Sequence, residues 1–141
     1  MARFPVIVYV SQLWLFLTFV LGLFIIARGL GKSEKPEFSV RRHKRIGRLF
    51  LAMVLFGALL GKFVTASLPL GTLRMPGSTF LAVLTVVLAI VGEVFGYQGE
   101  RKRLRVRTGT MQMHPWFFIT VTALVFAQLI LGLRALRIIK F

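Results

Sequence analysis

Four apolar runs, each long enough to cross a lipid bilayer and set apart by polar or basic segments, leave this chain few ways to fold. The first run reads VIVYVSQLWLFLTFVLGLFIIA, residues 6–27, and the others cover about 47–68, 79–97 and 115–133. At about 1.5 Å of rise per residue, about 20 helical residues cross about 30 Å of hydrocarbon. Backbone polar groups find no water in that layer, so each run must satisfy its own hydrogen bonds as a helix. The chain is 57% hydrophobic over 141 residues, with a mean hydropathy of +0.80, more apolar surface than a soluble domain of this size can bury. The expected fold is therefore all-α: an integral membrane four-helix bundle, with residues 1–141 forming one transmembrane domain. The first run is too long for a signal-peptide core and lacks a basic start and a clear cleavage site, so it is read as a retained helix. Runs two and three are joined by SLPLGTLRMPGS, whose Pro69, Gly71, Pro76 and Gly77 mark a short loop.

The charges set an orientation. The net charge is +15, and 13 of the 19 Lys and Arg residues lie in two segments, residues 28–48 and 101–107. The other side has Arg3, Arg74, Arg134, Arg137 and Lys140, while Lys62 lies inside run two, where it snorkels along its own stem. The positive-inside rule puts both basic loops in the cytoplasm and both termini on the non-cytoplasmic side. Grouped between apolar runs, these charges fit anionic lipid or an acidic partner subunit, and not nucleic acid.

Both histidines stand where a basic stretch gives way to an apolar run, His43 in RRHKRIGRLF and His114 in RTGTMQMHPWFF. Their runs rise from the same side, so they lie at similar depth, which is one requirement for two axial ligands on one haem. At about 100° per residue, His43 shares a narrow face with Gly47, Gly57 and Gly61. His114 shares one with Val121, Val125, Gln128 and Gly132, and an amide inside a membrane helix points to the bundle interior. Small residues admit a neighbouring helix or a flat macrocycle. The same residues have plainer uses. Gly57/Gly61 and Gly92/Gly96 are small-xxx-small packing pairs. His114–Pro115 is a helix start with proline at the first helical position, and Trp116 suits an interfacial aromatic belt. Glu93, near the cytoplasmic end of run three, serves as a charge partner for a loop arginine such as Arg48, or handles protons beside a haem or quinone. In run one, Ser11, Leu15, Thr18 and Gly22 form a packing stripe.

The segments HPWFFITVTALVFAQLILGL and RHKRIGRLFLAMVLFGALLG resemble the histidine-bearing helices of membrane cytochromes of the b(561) type, over about residues 41–134. The resemblance implies a four-helix core binding b-type haem and passing electrons to or from quinone, ascorbate or a partner subunit. Here the histidine set is reduced to two, which leaves no protein ligands for a second haem. Carried over, His43 and His114 become the axial ligands of one haem near the cytoplasmic face. Arg45, Arg48 and Arg107 are then candidates for its propionates, and Gly47, Gly57, Gly61 and Gln128 are candidates to face it.

Absences narrow the remaining choices. With no cysteine there is no disulfide, thiolate zinc site, cysteine-ligated iron–sulfur cluster or thioether haem attachment. The chain has no aspartate and four glutamates, Glu34, Glu37, Glu93 and Glu100, and no phosphate loop, hydrolase elbow or zinc motif. Run one has no acidic residue with which a small drug exporter would bind a cation. An electron carrier or accessory subunit is expected rather than a stand-alone enzyme, in a bacterial-type cytoplasmic or photosynthetic membrane. The alternative is a non-catalytic subunit of a respiratory or photosynthetic complex that binds lipid, a chlorophyll-type pigment or no cofactor. Either way the partners are membrane lipid and other membrane subunits.

Overall fold

The computed structural model describes residues 6–30, 40–67, 78–101 and 109–136. These form four helices: α1 (Val6–Leu30), α2 (Val40–Ser67), α3 (Ser78–Arg101) and α4 (Gly109–Ala135). Each contains a segment apolar and long enough to cross a membrane, and apolar side chains such as Leu13, Leu59, Phe80 and Trp116 project outward around the bundle. In water such a surface would aggregate; in lipid it is the solvated face. The chain is an integral membrane protein.

The helices close a ring in chain order: α1 packs on α2 and α4, and α3 packs on α2 and α4. Neighbours run antiparallel, as cross-helix pairs show: Gly22 meets Thr122, Thr85 meets Gln128 and Gly92 meets Phe117. The larger core cluster joins Ile25, Phe50, Val54, Val121 and Val125, and a smaller one at the opposite end joins Val8, Val64 and Leu136.

Lipid is as apolar as leucine, so close packing and interior hydrogen bonds, rather than hydrophobic burial, hold such helices together. The interior shows this. Ser11, Thr18, Thr85 and Thr122 are all buried, and their hydroxyls donate back to the carbonyls of Val8, Trp14, Leu81 and Phe118. Gly22 lets α4 approach so closely that a Cβ there would lie 2.6 Å from Thr122 Oγ1. The expected stripe on run one is thus the face that α1 presents to the bundle. Trp14 closes the α1–α2 seam by donating its indole N–H to the Met53 carbonyl at 2.9 Å.

Two helix starts differ from the expectation. α2 begins at Val40, so His43 sits inside its first turn, and α4 begins at Gly109, which makes Pro115 its seventh residue and not its first. Pro115 therefore withholds an N–H from the Met111 carbonyl, a loss tolerable near the polar end of a helix. Apolar runs mark the hydrocarbon layer, whereas a helix continues into the headgroup zone wherever the chain permits. At about 1.5 Å per residue, the 28 residues of α2 measure about 42 Å, the thickness of a bilayer with its headgroups.

Candidate functional site

Chemically versatile side chains gather at the end of the bundle where α2 and α4 begin and α3 finishes. His43 on α2 and His114 on α4 face each other across the diagonal, with ring centroids 6.2 Å apart and planes at 76°. Both rings are half-buried. Beneath them the diagonal is filled by Phe118, whose ring is 5.1 Å from His114 and 5.3 Å from Phe50.

His114 is held by α3. Its ring lies so close to Gly96 that a Cβ there would fall 2.7 Å from Cε1. With no side chain in the way, Nδ1 reaches the Gly92 carbonyl at 2.8 Å. A carbonyl only accepts, so Nδ1 is the donor in this bond. A backbone acceptor on one imidazole nitrogen, leaving the other free to bind, is the usual support of a metal-ligating histidine. Gly92 also makes room for Phe117. The Gly92/Gly96 pair thus packs two helices and seats the His114 ring at once. The signal for this seat lies in the sequence: a glycine pair on run three at the depth of His114.

Glu93 lies beside this seat, half-buried, with Oε2 4.0 Å from where a Cβ on Gly47 would stand. Gly47 is one turn from His43, so the carboxylate approaches α2 just below the histidine pair. No ion pair joins Glu93 to Arg48 among the described residues. A narrow cleft with about 10 Å³ of room runs between α2, α3 and α4 and is lined by Phe50, Ala89, Gly92, Glu93, Phe117 and Phe118, among others, and by neither histidine.

The other expected site residues do not join this cluster. Gly57 and Gln128 keep the faces of their histidines, but each is 14 residues further along its helix, about 21 Å away. Gly57 is closed off by the Trp14 indole, which would lie 3.2 Å from a Cβ at that position, and Gly61 meets no neighbour within 4 Å. Gln128 spends its amide N–H groups on Thr85 Oγ1 at 2.7 Å and the Leu81 carbonyl at 3.3 Å, tying α4 to α3. Arg45 and Arg48 are exposed, and helix geometry turns them about 140–160° away from His43. Arg107 lies outside the described residues. Lys62 is exposed.

Among the described residues no group of three or more His, Cys, Asp and Glu side chains could hold a metal ion. Comparison with known proteins finds no matching family model, no similar curated protein and no similar solved structure.

Proposed function

We propose that this chain is a one-haem, b-type electron-transfer subunit of a larger membrane assembly, similar in plan to the b(561) cytochromes but with a reduced histidine set. The observation that carries this reading is the His43–His114 pair, 6.2 Å apart across the bundle. Metal–imidazole nitrogen bonds are about 2.0–2.1 Å long, so two rings on opposite sides of one metal have centroids a little over 6 Å apart. The donor set fits haem iron. The cleft beside the pair has only about 10 Å³ of room and is lined by neither histidine, far below the range of about 300–1,000 Å³ common for ligand sites, so a tetrapyrrole enters only if the helices and the Phe117 and Phe118 rings move apart.

Bound there, haem would supply a one-electron couple, and two histidine ligands would suit electron transfer rather than oxygen binding. The chain's own residues do the rest. His43 and His114 would hold the iron, and the Gly92 carbonyl fixes the His114 ring. Phe50 would keep water from the site, and Glu93 places a carboxyl group beside the cleft. A single site near one face leaves most of the membrane uncrossed, so a partner subunit or quinone completes the path. The basic segments put the histidine end on the cytoplasmic side of a bacterial-type or photosynthetic membrane, with both termini opposite.

The size of the cleft favours a second reading, an accessory subunit without haem. The haem-to-chain ratio of the purified protein separates the two. About one haem per chain supports the first. A folded, colourless preparation that copurifies with a large complex sinks it and leaves the accessory role.

A further inference from the structure

The face of α2 turned away from His43 combines two chemistries. Arg45 and Arg48 stand one turn apart at the histidine end, both exposed. Directly along the same face come Leu49, Ala52, Phe56 and Leu59; Leu49 is 53% exposed, Phe56 50% and Leu59 68%. At about 100° per residue these six positions fall within a narrow stripe. Ala52, the only small side chain of the four apolar ones, leaves a notch between Leu49 and Phe56. α2 contains no acidic residue, so the arginine pair has no counter-charge on its own helix.

We propose that this stripe seats one anionic phospholipid, its phosphate between Arg45 and Arg48 and an acyl chain across Ala52 towards Leu59. Side chains three apart on a helix are neighbours, and the planar guanidinium fork matches phosphate oxygens two at a time. From Arg48 to Leu59 the stripe runs about 16 Å, about half of the ~30 Å hydrocarbon layer and hence the reach of one leaflet. A free phosphate would leave the apolar part bare, and a soluble acidic protein could not follow it into the hydrocarbon. A phospholipid satisfies both ends, whether or not the histidines hold a haem.

Retention of added lipid by the full chain, measured by native mass spectrometry, tests this. Phosphatidylglycerol and phosphatidylcholine with identical acyl chains are compared. A surface arginine adds about five-fold to binding of an anionic headgroup, so the wild type should prefer phosphatidylglycerol by about thirty-fold. Arg45→Gln and Arg48→Gln should each cut the preference about five-fold, and the double variant should abolish it. Arg134→Gln, at the other end of the bundle, should leave it unchanged. Ala52→Phe should lower retention of both lipids by filling the notch with the arginines intact. Equal retention of the two lipids by the wild type, a preference that survives the double variant, or displacement of the lipid by inorganic phosphate alone would overturn the proposal.

Discussion

His114 depends on an atom that is missing from its neighbour. Because Gly96 has no Cβ, the imidazole lies on the α3 backbone and Nδ1 reaches Gly92. Gly96→Ala should expel the ring and break that bond, at about 1–3 kcal/mol of stability, as overpacking costs elsewhere. Titration with denaturing detergent would measure it, and Gly61→Ala, with nothing within 4 Å, is the control that should change little. Gln128 is the opposite kind of residue. Its bonds to Thr85 and Leu81 are interhelical, worth about 0.6–2 kcal/mol in a membrane protein. Gln128→Leu should lose that stability and leave any haem spectrum alone, since the side chain is about 21 Å along α4 from His114. At this scale the sequence is half legible. Spacing gives depth and helical face, and together these bring the two histidines to one place. Facing the same way is not being at the same level, however, and Gly57 and Gln128 share only an angle with the histidines. The propionate candidates Arg45 and Arg48 show the reverse error, since they have the right depth and the wrong face.

Helices carry a clearer signal. Each apolar run forms one helix, because hydrocarbon leaves the backbone no other way to satisfy its polar groups. The ends are less legible, since GTMQM and VRRHKR hold no apolar period and yet are helical in α4 and α2. Those extra turns carry His43 and His114 in regular helix near the membrane surface, so their positions are fixed by helix geometry rather than by loops. Packing between elements depends on pairs that spacing alone does not assign, such as Gly22 on α1 against Thr122 on α4. Gly22→Ala should destabilise the α1–α4 seam by about 1–3 kcal/mol. Adding Thr122→Ala removes both Oγ1 and Cγ2 and should recover part of that loss. A double-mutant cycle in detergent would show the coupling; strict additivity would mean the two residues do not meet.

The described residues form a ring of four antiparallel helices, with His43, His114 and Glu93 at one end and the Val8, Val64 and Leu136 cluster at the other. Because the chain has no cysteine, single introduced thiols report sidedness without background. Thiols at Ser33 and Thr108 should react with a membrane-impermeant reagent only from the cytoplasmic side, and one at Thr72 only from the other. Labelling of Thr72→Cys from the cytoplasm would reverse the proposed orientation. The central claim is that His43 and His114 together hold one haem. The reduced-minus-oxidised absorbance spectrum of the purified protein tests it most directly. A sharp b-type alpha band is expected, lost in His43→Ala and in His114→Ala and retained in Gln128→Leu. A folded wild type with no such band, or a band that persists when either histidine is removed, would contradict the claim.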